Sequence, residues 1–98
     1  MIKSSQEIMV ELGERMRKQR LSRNLAQAGL AERSGVSLAT LRKFEKTGQI
    51  SLASLVKLAI ALGAEQGFDL LFTDVEEQAV TIDDLLERSK PRKRGRVR

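Results

Sequence analysis

The run Leu30-Ala31-Glu32-Arg33-Ser34-Gly35-Val36-Ser37-Leu38-Ala39-Thr40-Leu41-Arg42-Lys43-Phe44-Glu45 leaves the chain little choice of local structure. It reads as a short amphipathic helix, a tight turn at Gly35 and a second helix opened by Ser37. The first helix must stop where the backbone needs positive φ, and Gly supplies that without steric cost. The Ser37 hydroxyl can accept a hydrogen bond from an orphan N–H of the next turn, so a new helix begins at once. Two helices joined by so short a turn cross steeply. That is the arrangement that delivers a second helix to the major groove of DNA.

Composition narrows the remaining possibilities. A chain of 98 residues holds one domain, whose core is small enough to need good helix packing or an oligomer. There is no Cys and no His, so a disulfide framework, a zinc finger, a histidine base and a thiol nucleophile are excluded, and no metal or cofactor is expected. Carboxylates and serines occur, but no motif pairs them for catalysis, so the sequence does not read as an enzyme. No apolar run approaches ~20 residues and the N-terminus lacks a secretory apolar segment, so the expectation is a cytoplasmic protein without a membrane partner. Aromatics are limited to Phe44, Phe68 and Phe72, which argues against stacking platforms for single strands or RNA.

The net charge of +5 hides a block pattern. Through Lys57 there are 11 basic and 5 acidic side chains. Leu58 to Glu87 carries 8 acids and no base, and Arg88 to the end carries 7 bases and no acid. Different partners for different parts is one reading of this pattern; mutual attraction of the last two blocks is the other.

Ser4 and Glu7 have capping-box spacing and are followed by Ile8, Met9, Leu12 and Met16 at helical intervals, with Glu11, Arg15, Lys18 and Gln19 opposite. The first helix is expected from about Gln6 to about Ser22, ending before Asn24, which tolerates left-handed geometry. A second helix covers roughly Gln27 to Ser34, burying Leu30 and Ala31. A third runs from Leu38 to about Lys46 with Leu41 and Phe44 inward beside Val36, and Gly48 ends it. Ser51 caps a fourth, whose Leu52, Leu55, Val56, Leu58, Ala59 and Leu62 form a broad apolar stripe stopped by Gly63.

Leu12 through Leu62 resembles a lambda-repressor/Cro-type helix-turn-helix domain, the group of XRE-family regulators. The resemblance lies in Arg20, Leu25, Gln27, Leu30-Ala31, Gly35-Val36-Ser37, Thr40-Leu41, Phe44-Glu45, Leu55, Leu58-Ala59 and Ala61-Leu62-Gly63. It implies an all-α, five-helix DNA-binding domain over 6–72, with Arg20 of the first helix paired to Glu45 of the third. Two positions depart from the family pattern. Ala26 stands where Ser or Thr usually caps the second helix, and Gly29 where Glu is common. Each departure costs roughly 1 kcal/mol of helix stability.

The same resemblance assigns contacts. Base edges fall to Ser37, Leu38, Ala39, Thr40 and Lys43, with Arg42 beside them. Arg or Lys can donate to guanine O6 and N7, while Leu38 and Ala39 suit thymine methyls. Gln27 resembles the family's phosphate-anchoring glutamine, and Arg17, Arg23 and Lys46 are further candidates for phosphate contact or simply solvated charges.

The chain beyond the fourth helix is less determinate. Gly67-Phe68-Asp69-Leu70-Leu71-Phe72 suits either a short fifth helix or a strand. In both forms Phe68, Leu70, Leu71 and Phe72 leave apolar surface assigned to a homodimer interface. An acidic segment over 73–89 includes Thr81 and Asp84, placed to start a brief helix carrying Ile82, Leu85 and Leu86. Residues 90–98 are expected to form a disordered basic tail. Within it Arg94-Gly95-Arg96 resembles an AT-hook core with Val97 in place of the usual Pro; plain phosphate binding is the alternative. Phe44-Glu45-Lys46-Thr47-Gly48 together with the Arg-rich end is most similar to HipB-type antitoxins. That resemblance implies a repressor of its own operon and a kinase-fold toxin as partner. A stand-alone or phage-type regulator is the alternative.

Overall fold

The computed structural model describes residues 2–74, and among these every regular element is helical. The order is α1 (Ser5–Ser22), α2 (Gln27–Ser34), α3 (Leu38–Thr47), α4 (Leu52–Leu62) and α5 (Gly67–Leu70). Three of the starts are capped by serine. The Ser4 hydroxyl accepts from Glu7 N while the Glu7 carboxylate accepts from Ser4 N, the reciprocal capping box. Ser37 and Ser51 accept from Thr40 N and Ser54 N. Helix α2 begins at Ala26 with no side-chain cap. Asn24 turns the chain between α1 and α2 at φ 55°.

A compact unit ends at Glu65. In it α3 packs on both α1 and α2, and α4 lies against α2. Phe44, Leu30, Leu41 and Leu58 are fully buried at its centre, with Val36, Leu62 and Met16 around them. Leu25, Ile50, Leu55 and Ala61 close the edges of this cluster. Burial of this apolar set is the main force holding α2 and α3 against each other.

Helix α1 departs from the face its apolar residues suggest. Ile8 is 54% exposed and Leu12 37%. The stripe turned toward α3 is instead Met9, Gly13, Met16 and Arg20, spaced i, i+4, i+7 and i+11. Gly13 and Gly48 explain the rotation. A Cβ on Gly13 would stand 2.5 Å from the Phe44 carbonyl oxygen, and one on Gly48 would collide with the Met9 backbone. The two helices approach backbone to backbone, and only glycine fits at these points. Gly48 also carries the left-handed φ of +82° that stops α3.

Gln66 opens a second unit, of which only 66–74 are described. Its α5 is a single helical turn, which decides the open choice between helix and strand. Phe68 and Leu70 are half-buried, Leu71 and Phe72 are exposed, and Phe72 takes an unusual φ of +67°. The expected helix around Thr81, most of the acidic segment, and the basic tail with Arg94, Gly95 and Arg96 lie outside the described residues.

Candidate nucleic-acid interface

The presentation of α3 follows from its two faces. Leu41 and Phe44 are fully buried, which fixes the helix's rotation and turns Ala39, Arg42 and Lys43 to solvent. Leu38 is half-buried at the first turn. At the cap, the Ser37 hydroxyl accepts from Thr40 N at 3.1 Å and donates to the Thr40 hydroxyl at 2.8 Å. The two hydroxyls thus hold each other at the leading edge of the helix. Among the described residues neither Arg42 nor Lys43 has a hydrogen-bonding or ionic partner, so both heads are available to a ligand.

Glu45, on the same helix, faces the other way. Its side chain is only 4% exposed and receives the Arg20 guanidinium as a two-pronged pair, Nε to Oε2 at 2.8 Å and Nη2 to Oε1 at 2.9 Å. The remaining arm of Arg20, Nη1, donates to the Leu25 carbonyl at 2.8 Å in the loop before α2. Gln27, the first residue of α2, donates its Nε2 to Glu45 Oε1 at 3.0 Å. No buried side-chain nitrogen or oxygen among the described residues lacks a partner. Burial alone would raise the Glu45 pKa. The hydrogen bonds from Arg20 and Gln27 and the charges of Arg20 and Arg17 outweigh it and hold the carboxyl below its ordinary value. Arg20 is held above its own ordinary value chiefly by the hydrogen bond to Glu45.

The other basic side chains are distributed around this frame. Arg23 folds back on the end of α1, donating to the Gln19 carbonyl and side-chain oxygens and to the Ser22 hydroxyl. Lys46 is exposed in the last turn of α3, and Arg17 is exposed on α1. Ser37, Leu38, Ala39, Thr40, Arg42 and Lys43 are therefore gathered on one helix, and Gln27 is joined to that helix through Glu45. Phe68, Leu70, Leu71 and Phe72 belong to the second unit. The Gln27–Glu45 link and the glycine contacts of α1 carried no periodic signal, since each joins residues remote in sequence, and the Arg20–Leu25 bond reaches from α1 into an irregular loop.

A short helix, a left-handed glycine and a serine-capped second helix, braced by α1 and α4, make a helix-turn-helix. A helix-turn-helix family profile of the lambda-repressor (XRE) type matches residues 16–65, half of the chain. The chain belongs to this family. It is accordingly a DNA-binding transcriptional regulator, of a kind not typically enzymatic. No curated relative matches the chain. Among the described residues of the regulator no helix is long and apolar enough to cross a membrane.

Proposed function

We propose that this regulator is a repressor that reads an inverted-repeat operator as a homodimer, and that it is the antitoxin of a HipA-like serine/threonine-kinase toxin whose operon it controls. The observation that carries the DNA half is the solvent side of α3, where Arg42 and Lys43 stand unpaired above a fully buried Leu41 and Phe44. In this reading Ser37, Leu38, Ala39, Thr40, Arg42 and Lys43 meet base edges, and Gln27, Arg17, Arg23 and Lys46 meet phosphates. Phe68, Leu70, Leu71 and Phe72 form the dimer contact. The domain runs over 6–72, followed by an acidic segment over 73–89 and a basic tail over 90–98. An isologous dimer imposes two-fold symmetry on its site, with half-site centres about 34 Å apart or a multiple of that.

The antitoxin half rests on the run Phe44-Glu45-Lys46-Thr47-Gly48 and the Arg-rich end, the features similar to HipB-type antitoxins. Co-purification from the native operon, followed by footprinting on the upstream DNA, tests both halves. A two-fold footprint and a co-purifying kinase-fold protein support the whole reading. A two-fold footprint without the kinase leaves a stand-alone regulator. A monomer protecting an unsymmetrical site overturns the dimer.

A further inference from the structure

Phe72 is the most exposed aromatic side chain among the described residues, and it stands in an unusual backbone. Its side chain is 97% exposed and its φ is +67°. Leu70 to Thr73 make a tight turn, in which the Leu70 carbonyl accepts from Thr73 N at 3.2 Å and from the Thr73 hydroxyl at 2.8 Å. Leu71, at φ −66° and ψ 127°, and Phe72 take the two central places of a type II turn. The second of these places calls for glycine or asparagine, because a bulky side chain at positive φ crowds the backbone. The turn therefore holds two exposed apolar side chains, Leu71 and Phe72, in water, one of them at a strained position. The turn itself gains nothing from a phenylalanine there.

A receiving surface lies on the same chain. Helix α4 packs against α2, while Leu52, Val56 and Ile60, spaced i, i+4 and i+8, run along its outer side. Leu52 is 67% exposed, Ile60 is 58% exposed and Val56 is half-buried. Lys57 is the only charged residue of α4 and is exposed beside this stripe, whereas exposed Asp69 and Asp74 bracket the turn. We propose that the Leu71–Phe72 turn anchors the homodimer by seating on the Leu52–Val56–Ile60 stripe of α4 in a second copy. Every copy carries one anchor and one stripe, so a two-fold axis satisfies both at once. A partner of different sequence would cover one and leave the other bare. The acids of the turn meet Lys57, which orients the contact. The inference rests on the homodimer proposed above. It adds the surface that receives the aromatic end and the side chain that dominates the contact, since association energy concentrates in large aromatics seated on apolar surface.

The test measures association of the full chain without DNA, by analytical ultracentrifugation over a concentration series. Phe72→Asn suits the left-handed backbone and removes the ring. It should raise the dimer dissociation constant about tenfold or more, while the melting temperature of the diluted monomer holds or rises. Leu52→Gln/Ile60→Gln should weaken the dimer comparably. Both side chains are exposed in the single chain, so melting should change little, and Leu52→Gln alone replaces the pair if the double variant is unfolded. Mixing the two variants decides the pairing. A mixed dimer restores one intact anchor on one intact stripe, so the mixture should associate more tightly than either variant alone. A Phe72→Asn protein that dimerises like the parent overturns the anchor, and a stripe variant that does so overturns the stripe. Losses in both variants with no gain on mixing mean that turn does not meet α4, and overturn the pairing. In each of these cases a dimeric parent leaves the homodimer standing and removes only this contact. A parent that stays monomeric at every concentration overturns the homodimer itself, and the inference falls with it.

Discussion

Gly13 of α1 lies directly against the main-chain carbonyl of Phe44 in α3, so close that a Cβ on Gly13 would stand 2.5 Å from the oxygen. The neighbour is backbone in the last turns of α3, and the Phe44 side chain is fully buried, so it has no room to yield. Gly13→Ala should therefore destabilise the domain although it improves helix propensity. Forcing even one methyl into such a contact costs about 1–3 kcal/mol against a propensity gain of about 1 kcal/mol. Thermal melting should show a net loss, and a rise in melting temperature would mean that α1 and α3 do not touch here.

Arg20 and Glu45 should behave as a unit. Their side chains are 7% and 4% exposed, so removing either leaves a charge stranded away from water. Such single losses cost about 3–5 kcal/mol, whereas replacing both partners by apolar residues is often near neutral. Arg20→Met and Glu45→Met should each be severely destabilised and the double variant should recover most of the loss. A double-mutant cycle on chemical unfolding measures the coupling, and additive losses would mean the pair contributes nothing as a pair.

Acid should weaken the fold through Glu45. The folded carboxyl titrates below its unfolded value of about 4.3, so its contribution is complete above that pH and drains away as pH falls through the depressed folded value. Arg20 shifts the opposite way at the alkaline end and stays charged throughout this window. Stability plotted from pH 7 to pH 2 should fall on the acid side, and the fall should be shallower in Glu45→Gln. An acid limb unchanged by that substitution would assign it to other carboxylates, of which Glu11, lowered by its hydrogen bond from Lys3, is one.

Local chemistry was legible where the fold obeys short-range rules. Ser4, Ser37 and Ser51 cap helices, and Gly35, Gly48 and Gly63 end them in left-handed geometry, because the first and last turns of a helix are satisfied by residues a few positions away. The inward Leu30, Leu41, Phe44 and Leu58 followed from helical periodicity. The buried face of α1 followed only in part: Met9 and Met16 lie in it, whereas Ile8 and Leu12 are exposed. It is made of a glycine and an arginine as much as of methionines, so counting apolar residues points toward Ile8 and Leu12. What selects the true face is a backbone contact with α3 and an ion pair 25 residues away, neither of which leaves a periodic trace. The Gln27–Glu45 bond, 18 residues apart, was hidden for the same reason. Residues 67–70 are too few for periodicity to separate helix from strand.

Helix α2 carries two removable weaknesses. Ala26 occupies its N-cap at φ −77°, ψ 162°, the extended geometry of a normal cap, but offers no side-chain oxygen. Gly29 sits mid-helix, and a Cβ there would meet only Leu25 Cδ2 at 3.6 Å, an ordinary contact. Ala26→Ser and Gly29→Ala should each stabilise the domain by about 1 kcal/mol, and their sum should raise the melting temperature by roughly 8–16 °C. Loss of DNA affinity in Gly29→Ala, with stability raised, would identify that bare backbone as a place the ligand approaches.

The basic end of the chain allows a test that leaves α3 untouched. Deleting Lys90 to Arg98 removes six basic side chains. If they lie on phosphates, the dependence of binding on salt becomes shallower, by about 0.9 in the log–log slope for each phosphate no longer neutralised. Discrimination in the operator core should survive, since sequence is read elsewhere. An AT-hook role for Arg94-Gly95-Arg96 makes a further demand. The loss should be greater with A·T-rich flanks than with G·C-rich ones, because the narrow A·T minor groove is what draws an arginine inward. A loss independent of the flanks leaves plain phosphate binding. An unchanged slope removes DNA as the tail's partner and turns attention to the acids between Leu58 and Glu87, which full-length and truncated proteins would then distinguish by their own unfolding at low and high salt.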